Sequence, residues 1–103
     1  MLQHTLGRTG RTVSAIGLGT WQLGADWGDV SESDAFAVLD TAADAGVTFF
    51  DTADVYGDGR SESFIGAWRE ARPGTAVTVA TKMVRRAAMP DAAALTLDNM
   101  REW

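Results

Sequence analysis

The stretch Val47-Thr48-Phe49-Phe50-Asp51-Thr52-Ala53-Asp54-Val55-Tyr56-Gly57 decides the fold. Its first four residues are β-branched or aromatic, the composition of a strand. A charged residue, Asp51, follows at once, and a loop leads on to Gly57. The same order of events recurs on either side. The apolar, glycine-bearing run 15–20 ends in Thr20, and the run Val77-Thr78-Val79-Ala80-Thr81 is followed by Lys82. Thr20, Asp51 and Lys82 stand 31 positions apart. A strand with its return helix takes about 30 residues, so these three occupy equivalent points of successive βα units. Runs that are apolar on both faces belong to a parallel sheet covered by helices.

The segments between the strands read as those helices. Ser31 with Asp34 three residues on is a capping-box pattern, and Glu32 also favours a helix N-terminus. Ala35, Val38, Leu39, Ala42 and Ala43 then form one apolar face, and Gly46 supplies the stop. Ser61 is placed to cap a second helix with Phe64, Ile65, Trp68 and Ala71 on one face, ended by Pro73-Gly74. Pro90 breaks the following loop, and Thr96 caps a third helix bearing Leu97, Met100 and Trp103. Upstream, residues 2–6 and 11–14 have β character and are joined by the turn-like Gly7-Arg8-Thr9-Gly10, which predicts a hairpin. The expected class is α/β: a single incomplete domain over residues 1–103, with an N-terminal β-hairpin (1–14) and about three parallel βα units (15–103) of a (β/α)8 TIM barrel. Eight such units need about 250 residues, so the chain reads as truncated. A dinucleotide-binding sheet fits less well. Gly17 and Gly19 begin its glycine pattern, but Gln22 stands where the third glycine belongs and no helix opens there.

Composition removes several classes of function. A net charge of −5 argues against nucleic-acid and membrane-surface binding, and Lys82, Arg85 and Arg86 are too few for a polyanion patch. There is no cysteine and a single histidine, His4, so no metal site is expected. No run of about 18 apolar residues and no signal-peptide pattern is present, so the expected location is cytoplasmic.

In a barrel, side chains just beyond the C-terminal strand ends face the active site. Asp51, Tyr56 and Lys82 gather there in this arrangement. Tyr56 is the only tyrosine, and Lys82 the only lysine among nine basic residues. A free phenol is too weak an acid to protonate a developing alkoxide efficiently near neutrality. A nearby ammonium favours the phenolate, and a carboxylate keeps that ammonium charged and oriented. The trio is therefore a plausible acid relay for carbonyl reduction, with hydride from a nicotinamide cofactor.

Leu6-Gly7-Arg8-Thr9-Gly10, Val13-Ser14-Ala15-Ile16-Gly17-Leu18-Gly19-Thr20-Trp21, Phe50-Asp51-Thr52-Ala53-Asp54-Val55-Tyr56-Gly57, Ser61-Glu62 and Ala80-Thr81-Lys82, in this order, closely resemble the aldo-keto reductase family. The resemblance implies a (β/α)8 barrel plugged by the hairpin, and NADP(H)-dependent reduction of small-molecule aldehydes or ketones. It implies Tyr56 as proton donor tuned by Lys82 and Asp51. Gly19, Thr20 and Asp51 would lie near the nicotinamide ribose, and Trp21 with Tyr56 would line the substrate pocket. The family's fourth catalytic residue, a histidine about one βα unit beyond Lys82, is not reached by Trp103, and His4 lies in the hairpin. The chain by itself is therefore expected to be inactive and to bind NADPH poorly. An alternative is a non-catalytic interaction module that self-associates through its open sheet. Trp27, Trp68 and Trp103 read as structural residues, and Asp26, Asp29 and Asp54 as loop or turn residues. Met83, Met89 and Met100 show no ligand spacing.

Overall fold

The computed structural model describes residues 1–24, 28–86 and 92–103. The readings of Asp26, Trp27, Met89 and Pro90 lie outside the described residues. Strands β1 (Gln3–Thr5) and β2 (Thr12–Ser14) pair antiparallel, with His4 opposite Val13. The turn between them closes through Leu6 N–H to Arg11 C=O, 2.8 Å, with the Thr9 hydroxyl on Leu6 C=O at 2.7 Å. The expected hairpin is present. It docks through a reciprocal pair: Ser14 N–H donates to the Thr48 hydroxyl and Thr48 N–H to the Ser14 hydroxyl, both at 2.9 Å.

Three strands form the second sheet: β3 (Leu18–Gly19), β4 (Phe49–Asp51) and β5 (Thr78–Ala80), in that order and all parallel. Gly19 pairs with Asp51, and Asp51 with Ala80, so the strands end level with one another. Backbone bonds continue the ladder past the strand ends, from Thr20 N–H to Asp51 C=O and from Thr52 N–H to Ala80 C=O. The strands are shorter than the apolar runs suggest. In the first, the Ser14 hydroxyl bonds Ile16 C=O at 2.6 Å, and the bend this makes takes up residues 15–17 between hairpin and sheet. Ile16 is consequently exposed.

Helix α1 (Glu32–Asp44) begins at Ser31, whose hydroxyl accepts from Asp34 N–H and donates to the Asp34 carboxylate. It ends in a Schellman motif: Gly46 N–H reaches Ala43 C=O and Val47 N–H reaches Ala42 C=O. Gly46 holds φ +88°, which a side chain would resist. Ala35 and Leu39 are fully buried, whereas Val38, expected on the same face, is exposed. Helix α2 (Arg60–Ala71) corrects the expected boundary. Gly59, at φ +90°, is its N-cap, and Ser61 lies inside the first turn with its hydroxyl buried. A run of turns from Ala53 to Arg60 enters the helix directly, so no serine cap is needed. Ile65 and Trp68 form its buried face, and Ala71 is exposed. Helix α3 (Leu97–Glu102) starts at Thr96, whose hydroxyl accepts from Asn99 N–H as expected.

The core gathers Leu23, Ala35, Leu39, Val47, Phe50, Ile65 and Trp68 between the sheet and the two long helices. Phe50 and Trp68 meet at 5.5 Å between ring centroids, tilted by 53°. Asp40 on α1 joins the helices: it accepts from the Trp68 indole at 2.8 Å and from two nitrogens of Arg72. The Arg72 guanidinium, then the indole, hold the Asp40 carboxyl below its ordinary value of 3.8. A carboxylate so lowered stabilises the fold above that ordinary value and loses its contribution as pH falls through the lower folded one. Both side chains are about one-third exposed, so the effect is modest and screened by salt. Thermal unfolding above and below pH 3.8 should show a drop in midpoint on the acid side that Asp40→Asn reduces. An equal acid dependence in that variant would remove Asp40 from the account.

Candidate active site

All three strands end at one rim. There Lys82 Nζ lies 2.8 and 2.9 Å from the two carboxylate oxygens of Asp51, 2.8 Å from Thr52 C=O and 3.4 Å from the Tyr56 hydroxyl. Nζ also sits 5.2 Å from the Tyr56 ring centroid. Asp51 and Lys82 arrive on neighbouring strand ends, and Tyr56 on the loop between β4 and α2. The Asp51 carboxylate, before the smaller contribution of Tyr56, raises the Lys82 pKa above its ordinary 10.5 against the opposing effect of burial. A raised lysine is fully charged below its ordinary value and loses its proton only as pH climbs through the higher folded one. Through the neutral range Lys82 is an ammonium.

Beside this trio a cleft opens, lined among the described residues by Trp21, Val55, Tyr56 and Arg85. Its volume of about 490 Å³ is within the range of small-molecule sites. Trp21 opens a 3-10 turn, Trp21–Gly24, and its ring centroid lies 6.5 Å from that of Tyr56. Gly24 and Gly57 hold the turn and the Tyr56 loop in backbone contact. A Cβ on Gly24 would meet Gly57 N at 2.5 Å and Tyr56 C at 2.6 Å.

Beneath the rim lies a cluster of hydroxyls that sequence reasoning missed. Thr20, Thr52 and Ser61 are each no more than 1% exposed. The Ser61 hydroxyl is 2.8 Å from that of Thr20 and 3.0 Å from that of Thr52, while Thr20 Oγ1 donates to Asp51 C=O at 2.9 Å. Each hydroxyl has one hydrogen to give. Thr52 donating to Ser61, Ser61 to Thr20 and Thr20 to Asp51 C=O uses all three. The cluster thus anchors the backbone of Asp51 to helix α2. Thr20, expected beside a cofactor, directs its hydroxyl inward. Gly19 stands in the open, where an added Cβ would meet nothing within 4 Å. Next to the cluster, the Thr81 hydroxyl donates to the Glu62 carboxylate at 2.5 Å. Asp54 lies in a turn, as expected, but its side chain is only 7% exposed and pairs with Arg86. His4 lies exposed in β1, in the hairpin that docks at the start of β4, away from the rim.

Among the described residues no group of three His, Asp or Glu side chains could hold a metal, and no helix is long and apolar enough to cross a membrane.

The model of the aldo/keto reductase family matches residues 15–102. The chain belongs to that family. It is 45% identical over 83 residues to pyridoxal 4-dehydrogenase of Microbacterium luteolum, covering 81% of this chain and 24% of the relative. It is 51% identical over 57 residues to an NADP(+)-named aldo-keto reductase of Schizosaccharomyces pombe, covering 55% and 17%. A holo-form aldo-keto reductase from Bacillus halodurans superposes with a TM-score of 0.68 at 32% identity, covering 81% of this chain and 26% of that one. This aldo/keto reductase chain therefore spans about a quarter of the length of the first of these relatives and of the matched structure. Its three parallel strands form part of the α/β barrel of that family.

Proposed function

We propose that these residues form the proton-donating side of an NADP(H)-dependent reductase of small-molecule aldehydes or ketones, within an enzyme of the length its relatives have. The observation that carries the reading is the position of Lys82 Nζ between Asp51 and Tyr56. An ammonium donates and never accepts. With the two Asp51 oxygens sharing one Lys82 N–H, the other two reach Thr52 C=O and the Tyr56 oxygen, whose own O–H is left to point toward the cleft it lines. In this reading the phenol gives its proton to the carbonyl oxygen as negative charge develops there. The phenolate left behind is stabilised by the ammonium, which Asp51 keeps charged. Trp21 and Val55 offer an apolar wall for the substrate.

The rim also fits a nicotinamide cofactor. Gly19 is unobstructed, and the Asp51 side chain, 43% exposed, has lone pairs left for a ribose hydroxyl. Thr20 contributes from below by fixing the Asp51 backbone. A reduced nicotinamide supplies hydride, which no side chain can. The relatives' names, one a dehydrogenase of pyridoxal and one carrying NADP(+), support this chemistry.

A hydrogen bond from a charged donor is worth about 1.5–3 kcal/mol. In a reductase of family length carrying these residues, Lys82→Met should slow carbonyl reduction by about tenfold to a hundredfold at neutral pH. Steady-state turnover checks this, and a rate equal to that of the parent would refute the relay.

A further inference from the structure

We infer that Arg86 is a positioning residue: one guanidinium clamps both shoulders of the loop that carries Tyr56 and so sets the distance between the phenol and Lys82. The inference rests on the proposed role of Tyr56 and adds the device that holds it. Two acids flank Tyr56 two residues away on either side, Asp54 and Asp58. Arg86, four residues beyond Lys82, reaches both. Its Nε lies 3.4 Å from the Asp54 carboxylate and its Nη1 2.8 Å from that of Asp58, while Nη2 donates to Asp54 C=O at 3.0 Å. A guanidinium can make these contacts at once because its donors form a planar fork.

Asp54 shows that the clamp is more than a surface ion pair. Its side chain is 7% exposed, and neither carboxylate oxygen has a hydrogen bond among the described residues. A buried carboxylate is costly unless a countercharge is held close, and Arg86 supplies it. Asp54 N–H also donates to Lys82 C=O at 3.0 Å. The Tyr56 loop is thus stitched to the Lys82 segment at its backbone and again by Arg86. Between Lys82 and Arg86, Val84 adopts φ +103°, which a β-branched residue rarely takes. That turn lets the chain bring Arg86 back over the loop. Asp58, on the other shoulder, also has positive φ, +53°. Such conformations persist where the surroundings over-determine them.

With one tyrosine and one lysine in the chain, a nuclear Overhauser contact between the Tyr56 ring and the Lys82 side chain is unambiguous. We expect the parent chain to show it, Arg86→Gln to lose it and Arg86→Lys to keep a weakened one, since an ammonium serves one carboxylate at a time. Should Arg86→Gln fold poorly with Asp54 left unpaired, Asp54→Asn/Arg86→Gln removes both charges and is expected to lose the contact too. A contact of parental strength in either variant overturns the clamp, whatever Tyr56 does in catalysis. In a reductase of family length, Arg86→Gln should lower kcat by about tenfold to a hundredfold, the scale of a misplaced reacting group, with KM unchanged. In a Tyr56→Phe background it should cost nothing further. An equal loss in both backgrounds means a general structural role and overturns the inference. Full turnover by Tyr56→Phe, with the Overhauser contact still dependent on Arg86, would instead reject the donor role and leave the clamp standing.

Discussion

Tyr56→Phe, in a reductase of family length carrying these residues, is expected to lower carbonyl reduction by about 10²–10⁴-fold, the usual contribution of a positioned acid. The substitution removes one O–H and little else. The ring stays, so its contact with Trp21 and the shape of the cleft are kept. Lys82 loses its longest hydrogen bond, 3.4 Å, and retains both oxygens of Asp51 and the carbonyl of Thr52. The ammonium therefore remains charged and in place, and the Asp51 carboxylate still faces the rim. For that reason NADPH affinity, read by fluorescence titration, should match that of the parent while kcat falls. The pairing of those two readouts separates loss of an acid from loss of a site. Turnover within a few-fold of the parent would mean that another group, or water, delivers the proton. A parallel loss of NADPH affinity would place Tyr56 in cofactor binding instead.

The meeting of Asp51, Tyr56 and Lys82 was legible in the sequence because Asp51 and Lys82 follow a backbone repeat and Tyr56 stands five positions beyond Asp51. Equal 31-residue spacing puts Thr20, Asp51 and Lys82 at equivalent strand ends, and parallel strands that end level bring those ends to one rim. Helix α1 was legible for a similar reason: Ser31, Asp34 and Gly46 act locally, through bonds spanning a few residues. What escaped depends on contacts distant in sequence. Ser61 has the chemistry of a helix cap and also that of a buried donor, and only the positions of Thr20 and Thr52 decide between them. Asp54 is the turn residue that the sequence suggests, but nothing local marks its burial beside Arg86, 32 positions away. The close approach of Gly24 to Gly57 leaves no local mark, since glycine is common in loops for many reasons. Strand lengths were overestimated because apolar content marks burial, whereas pairing stops where the neighbouring strand does. Val38 fits the apolar period of α1, yet no described element covers it.

Trp68→Ala is expected to abolish cooperative unfolding of the chain. The indole is fully buried, packs on Phe50 at 5.5 Å and donates to Asp40 on the facing helix. Truncating a buried Trp to Ala costs about 3–5 kcal/mol, against a total of about 5–15 kcal/mol for a typical domain. The stability of this chain belongs at the low end of that range, because Leu2, Ile16, Val38 and Leu97 remain exposed. One substitution therefore removes most of the margin. Trp68→Phe keeps an aromatic ring against Phe50 and gives up the indole N–H and part of the ring volume, so it should cost about 2 kcal/mol, less than Trp68→Ala, and leave a cooperative transition. Urea unfolding followed by circular dichroism distinguishes them: a steep, shifted curve for Trp68→Phe, a shallow drift for Trp68→Ala. The consequence reaches the rim. Phe50 immediately precedes Asp51, and with Trp68 gone the ring contact that packs β4 against α2, the helix whose first turn carries Ser61, is lost. The Tyr56–Lys82 Overhauser contact should weaken in Trp68→Ala and persist in Trp68→Phe. A steep transition at the parental midpoint in Trp68→Ala would show that packing between β4 and α2 is not what holds the site together.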